Sequence, residues 1–254
     1  MSEIEAFWRD LRLTTQARIG LGRTGDSLPT SRVLEFRSAH AAARDAVHMP
    51  LDVETFVADV EAVGIGAPVV VTSRAESRAE YLRRPDLGRI PKDLSGIEKG
   101  EFDIGVVLSD GLSPRALMDH GAQMMQALVS ELSEVYSVAP PVIATEARVA
   151  LGDHIAEAMG VRTVLVLIGE RPGLSVADSL GIYLTHLPAP GKSDADRNCI
   201  SNIHPPEGLG YAQSAKIVAG LVGGARKLGR SGVALKDTSR ADALENADVK
   251  VISE

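Results

Sequence analysis

The sequence predicts an α/β fold: an open, mostly parallel sheet with helices on both faces, preceded by a small helical N-terminal domain. Three observations carry this. Short all-apolar runs begin only after Pro68, helical segments lie between several of them, and everything before Pro68 reads as helix or turn. An apolar strand alternating with helices is one covered on both faces, which is the signature of a parallel sheet. At about 150 residues per domain, the 254 residues divide into a helical unit over residues 1–63 and a Rossmann-like α/β domain over residues 64–254.

Ile4, Phe7, Trp8 and Leu11 recur at helical spacing and predict a short amphipathic helix. A helix this short is marginal in water, so it is expected to dock on its own chain. The Ala- and Arg-rich stretch 30–48, between Pro29 and Pro50, predicts a second helix, and 52–63 a third. Five strands follow: Val69–Thr72, Ile104–Leu108, Val142–Thr145, Thr163–Ile168 and Leu180–Leu184. Ser113-Pro114 is an N-cap followed by a proline suited to the first helical position. Leu117, Met124, Leu128, Leu132 and Val135 then line one face of that helix. Two more helices are predicted, from Leu151 to Met159, closed by Gly160, and over about 209–228. Residues 85–101 read as loop, and the polar tail after Asp237 as a frayed end.

Composition narrows the function classes. With 44% hydrophobic and 24% charged residues the chain has material for a core, and with 4% aromatics that core is aliphatic. Scarce aromatics and a net charge of −7 argue against a stacking platform for nucleic acid. Cys199 is the one cysteine, which excludes an intramolecular disulfide and a cysteine zinc cage. The six histidines are scattered with no pair at ligand spacing, so no metal site is expected. The acidic start lacks the apolar segment of a secretory signal, and no apolar run approaches the roughly 20 residues that span a bilayer. A cytoplasmic protein with no membrane segment is expected.

Gly20-Leu-Gly22-Arg-Thr-Gly25 matches the G-x-G-x-x-G pattern. A dinucleotide fingerprint needs a buried strand before it and a helix after it, and neither surrounds this one, so it reads as a turn. Three loops remain as candidate sites. Ser109-Asp-Gly-Leu-Ser113 sits between a strand end and a helix start, where ligands bind in this architecture, and equally fits a structural turn. Glu170, in Gly169-Glu-Arg-Pro-Gly173, projects from a strand tip into the crevice, with an ion pair to Arg171 or a nearby loop as the plainer reading. Asp196-Arg-Asn-Cys-Ile-Ser-Asn-Ile-His204 reads as a polar loop, a composition that carries function disproportionately on rigid scaffolds. Within it Cys199 alone reads as a small buried apolar residue, and His204 as a hydrogen-bonded structural residue. No triad, metal cluster or P-loop appears, so no catalytic residue is assigned. That pattern suits a domain that completes a partner's site.

These segments resemble the small subunit of ethanolamine ammonia-lyase. The resemblance runs from Ala17 to Lys236 and rests on five ordered motifs. They are Ala17-Arg-Ile-Gly-Leu-Gly-Arg23, Tyr81-Leu-Arg-Arg-Pro-Asp-Leu-Gly-Arg89 and the three candidate loops above. It implies a lyase subunit, inactive alone, of an adenosylcobalamin-dependent radical enzyme that converts ethanolamine to acetaldehyde and ammonia. The partner it implies is a TIM-barrel large subunit holding substrate and radical chemistry, with the cobalamin at the interface and an assembly of three heterotetramers. By motif, the family's cobalamin-contacting positions fall on Val149 in Ala147-Arg-Val149, on Glu170 and on Cys199, with a one-residue deletion between the last two. The histidine-ligand pattern D-x-H-x-x-G is absent, so the cobalt is expected to keep the cofactor's own base. Some members carry a long N-terminal extension linked to packaging in a bacterial microcompartment. Here sixteen residues precede Ala17, and the Ile4–Leu11 stripe is the feature suited to that role. Two readings of other classes compete with this one: a stand-alone corrinoid or nucleotide module, and a small hydrolase using Ser109 or Cys199.

Overall fold

The computed structural model describes residues 3–237; the tail after Asp237 lies outside them. The chain runs α1 (Glu3–Arg12), α2 (Thr30–His48), α3 (Val53–Glu61), β1 (Val69–Thr72), α4 (Arg78–Arg83), β2 (Ile104–Ser109), α5 (Pro114–Leu132), β3 (Val142–Thr145), α6 (Leu151–Met159), β4 (Thr163–Gly169), β5 (Leu180–His186), β6 (Asn198–Ile203) and α7 (Tyr211–Leu228). The six strands form one sheet in the order β1-β3-β2-β4-β5-β6. Its first four members are parallel, and β5 and β6 are added antiparallel. The link from β4 to β5 holds no helix, so it cannot make the crossover a parallel neighbour requires, and the chain turns straight back.

The all-apolar strands are explained by two cores, one on each face. Along β4, Leu165 and Leu167 point to the face covered by α3, α5 and α7, where they meet Leu117, Met124 and Val218. Val164, Val166 and Ile168 point to the other face and pack with Leu151 and Ile155 of α6. Phe56 and Val60 of α3 are fully buried within the first core. Helix α5 begins as its sequence indicates, with Ser113 Oγ accepting from the Ala116 N–H at 3.2 Å.

Three expectations are corrected. The stripe on α1 does not bury itself: Ile4 is 69% and Phe7 59% exposed, and Leu11 is exposed too. Trp8 leans on Gly20. Helix α5 stops at Leu132, so Val135 lies beyond it and is exposed. Within 196–204, residues 198–203 form the edge strand β6 rather than a loop. Only Ile200 and Ile203 of that strand face the core, and an edge strand with one open face tolerates polar residues that mask its alternation. Helix α4 was not anticipated, because its six residues are too few to show a period. Among the described residues no helix is long and apolar enough to cross a membrane.

Candidate functional site

The two faces of the sheet are covered unequally, and that creates the site. On the second face α6 packs against β2 and β4, while Tyr183 of β5 stays half-buried and Cys199 of β6 exposed. The exposure of Cys199 corrects the expectation of a small buried residue. Two adjoining depressions open there. One, of about 280 Å³, is lined by Leu112, Val149, Glu170 and Tyr183 among others. The other, of about 690 Å³, continues past Val149 and Tyr183 to Arg89, His154 and Lys192. Arg148, Val149 and Tyr183 form the saddle between them.

Of the three residues singled out from the motifs, Val149 and Glu170 line this cleft, and Cys199 stands beside it as the cross-strand neighbour of Tyr183. Val149 precedes α6 and packs half-buried against the second core. Glu170 leaves the tip of β4. Its Oε2 accepts from Ser179 Oγ at 2.5 Å and from the Asn202 backbone N–H at 3.2 Å. Asn202 takes a positive φ of 64° at the irregularity in the β5–β6 register, a bulge of the kind that re-aims groups beside sites. The plainer reading of Glu170, an ion pair to Arg171, is replaced by these two hydrogen bonds. Cys199 pairs directly with Tyr183 across β5 and β6. Crowding by neighbouring atoms pushes its thiol up, with the Glu170 charge adding to that and a hydrogen bond from Tyr183 opposing it. Burial pushes Tyr183 up to about 12, helped by its contacts with Cys199 and Glu170.

Apart from Leu112, which lines the cleft, the loop 109–113 is built into the scaffold. Asp110 is buried and accepts from the N–H groups of Glu146 and Ala147 at 2.8 and 3.0 Å. Ser109 is buried and donates to the Ala147 carbonyl at 3.0 Å, which Tyr81 Oη also reaches at 3.1 Å. Arg78 completes the knot. It lies 3.5 Å from Asp110 Oδ2 and 3.3 Å from Glu146 Oε2 and donates to the carbonyls of Val47 and Gly111, both at 2.8 Å. Gly111, at φ 55°, has no room for a Cβ against Gly169 and Ile168. These contacts lock residues 146–149 and so aim Arg148 and Val149 into the cleft. Ser109, buried and donating to a carbonyl, is placed as a structural residue and not as the nucleophile of a hydrolase.

His204 is buried, with Nε2 2.8 Å from Asn202 Oδ1. Asp196 accepts from the backbone N–H and Oγ of Ser193 at 2.9 and 2.8 Å. Gly20–Gly25 carries only a small bridge between Thr24 and Ser27, with no strand before it. Among the described residues no group of three or more His, Cys, Asp or Glu is placed to hold a metal ion. Tyr183 and Arg148 were missed from the sequence. The signal for the first was an aromatic interrupting an aliphatic strand in an aromatic-poor chain. For the second it was adjacency to Val149.

Fold and cleft together define an α/β domain with a shallow, half-open cleft beside one face of its sheet. The sequence matches the ethanolamine ammonia-lyase light chain (EutC) family over residues 5–236. It is 72% identical over 243 residues to the ethanolamine ammonia-lyase small subunit of Rhodococcus erythropolis, covering 96% of this chain and 95% of that one. It is 48% identical over 245 residues to the protein of that name from Rhodopseudomonas palustris, covering 94% and 93%. The match to that of Ralstonia nicotianae is 44% over 247 residues, covering 94% and 91%. The chain belongs to the ethanolamine ammonia-lyase small-subunit family.

Proposed function

We propose that this chain is the cobalamin-covering subunit of a lyase that converts ethanolamine to acetaldehyde and ammonia. In this reading it is inactive alone and complete only with a barrel-shaped large subunit. The observation that carries the proposal is that Val149 and Glu170 line one open cleft together with Tyr183, the residue directly opposite Cys199. The cleft is suited to part of a corrinoid and not to all of it. Pockets of about 300–1,000 Å³ bury drug-sized ligands, and a cobalamin is several times larger. One edge of it fits here, leaving the rest for a second protein.

The residues suit such an edge chemically. Val149 offers apolar surface. The Glu170 carboxylate spends both of its protein hydrogen bonds on Oε2, which leaves Oε1 to accept from an amide or ribose hydroxyl. Cys199, whose thiol is pushed up by its surroundings, adds a small weakly polar contact. When bound, adenosylcobalamin supplies homolytic carbon–cobalt chemistry; the protein's task is binding and orientation. With no D-x-H-x-x-G pattern in the chain, the cobalt keeps its own base. A nitrogen coupling from a protein histidine in the paramagnetic resonance spectrum would overturn that point. The complex is a hetero-oligomer, a trimer of heterotetramers, in the cytoplasm, with the exposed α1 stripe available for packaging in a microcompartment.

The test is an absorbance titration of adenosylcobalamin into this chain, alone and with the large subunit, followed by an ammonia assay. Weak binding alone, with tight binding and turnover in the mixture, is expected. Tight binding alone with no turnover in any mixture would make the chain a corrinoid carrier.

A further inference from the structure

The larger depression is lined by three cations, Arg89, Arg148 and Lys192, and by two carboxylates, Asp86 and Asp194. Asp86 is paired at 2.7 Å with Arg84 outside it, and Asp194 turns out to solvent, 3.9 Å from an arginine that already holds Asp153. None of the three cations forms an ion pair among the described residues. The start of α6 opens on the same depression through Val149, Ala150 and His154. Ala150 stands at the N-cap without a side-chain cap, with Asp153 in the first turn, and the first N–H groups of the helix already donate to the carbonyls of Arg148, Val149 and Ala150, so the charge of this depression comes from its side chains.

Arg148 is the most tightly prepared of these groups. Its backbone N–H donates to the Gly88 carbonyl at 2.8 Å. Gly88 is packed so closely that an added Cβ would come within 3.1 Å of the arginine's Cγ. The guanidinium lies over the Tyr81 ring at 4.4 Å. Its Nε is buried with no hydrogen-bond partner, which is costly for a charged donor unless something accepts from it. The side chain is therefore held in place by stacking and packing, with donor capacity unused, on the wall shared by both depressions. Rigid forked donors of this kind recognise phosphate oxygens.

We infer that Arg148, with Arg89 and Lys192 beside it, is an anchor for a phosphodiester, the one anionic group of a cobalamin. The inference rests on the function proposed above and adds an anion site to it. Arg148 lines both depressions, with Glu170 in the smaller and with Arg89 and Lys192 in the larger. The neutral amides of a corrin periphery suit the Glu170 carboxylate, and the phosphodiester of the nucleotide tail suits the larger depression, where Arg89 and Lys192 add to the guanidinium.

Three ligands separate the possibilities in the assembled complex with its large subunit: cobalamin, cobinamide (no phosphate, ribose or base) and cobinamide phosphate. Affinities are measured by absorbance titration for the unaltered complex and for Arg148→Met, Arg148→Lys and Glu170→Gln. Arg148→Met should weaken cobalamin and cobinamide phosphate by on the order of ten- to hundredfold and leave cobinamide within about twofold. Arg148→Lys should fall between, since it keeps the charge and loses the fork. Glu170→Gln should weaken all three. Equal losses for all three ligands on Arg148→Met would mean that the arginine only supports Tyr81, and the inference fails. A loss confined to cobalamin would point to stacking on the base and fails it too. No binding of any corrinoid to the unaltered complex would instead bring down the proposed function itself. If Arg148→Met does not fold, Arg89→Met carries the same ligand pattern in smaller measure, and its absence overturns the inference.

Discussion

Tyr183 of β5 stands directly opposite Cys199 of β6 in the antiparallel register, and each acts on the titration of the other. The pair sits on the one part of the sheet that α6 leaves bare. Its chemistry is therefore accessible to reagents although its thiol is held high.

That combination predicts an exposed but sluggish cysteine. Alkylation of the single thiol by iodoacetamide should show a pH midpoint above that of a free peptide thiol, about 8.5. The hydrogen bond from Tyr183 lowers the thiol's pKa against the larger effect of crowding. Tyr183→Phe should therefore push the midpoint higher still. A midpoint that falls on removing the hydroxyl would contradict the arrangement. Bound cobalamin should slow the reaction further in the complex.

Glu170 is expected to matter to the cofactor more than to the fold. In the complex, Glu170→Ala should cost about 1.5–3 kcal/mol of cobalamin affinity, the range for a hydrogen bond to a charged group. It also frees Ser179 Oγ and the Asn202 N–H, which water can solvate at this half-open position, so the melting temperature should fall little. Unchanged cofactor affinity, measured by the same titration, would remove Glu170 from the site.

How much of this was legible depends on how local the cause was. The five apolar strands and the Ser113-Pro114 helix start were readable because burial on two faces and capping write themselves into neighbouring residues. β6 was not, because Cys199, Ser201 and Asn202 answer to an open flank rather than a core. The burial of Phe56 beneath α5 and the exposure of Phe7 depend on partners distant in sequence. The Val149–Glu170–Cys199 grouping came from motif resemblance. Tyr183, which links it physically, was hidden inside a strand that otherwise read as aliphatic.

Asp110 should make stability pH-dependent. Burial pushes its carboxyl up to about 7, against the pull of Arg78 and the two backbone donors. Its folded-state pKa is thus above the unfolded value of about 3.9. The contribution is fully present below that value and is lost as pH rises through 7. Glu146, raised by burial in the same cluster, acts in the same direction. The buried His120 and His186, both lowered by burial, act in the opposite direction, so the Asp110 contribution is read from the difference in urea stability between the unaltered chain and Asp110→Asn, which should shrink as pH rises from 4 to 7. Asp110→Asn should lower stability by about 1–3 kcal/mol, because an amide accepts at one atom only and turns a donor toward an N–H. A difference that stays constant across this range would exclude Asp110 as a source of the pH dependence.

The buried pair Arg197–Asp153 is where the frame of the cleft is most vulnerable. The two meet through two parallel contacts of 2.8 and 2.6 Å, with both side chains 1% exposed. Arg197 also donates to Thr185 Oγ1 at 2.8 Å and to the Lys192 carbonyl at 3.1 Å. It thereby ties the first turn of α6 to β5 and to the loop that borders the larger depression. Removing one partner leaves the other charge buried and unpaired, so Arg197→Met should destabilise the chain by about 3–5 kcal/mol. The double variant Arg197→Met, Asp153→Leu removes both charges and should recover much of that loss. Stability alone would not show whether the pair also shapes the cleft. In the double variant the Lys192 carbonyl still lacks its donor, so the loop is released while the core is repaired. Cobalamin affinity in the complex should therefore stay weakened where stability returns. Recovery of both together would mean that the pair serves the core and not the site.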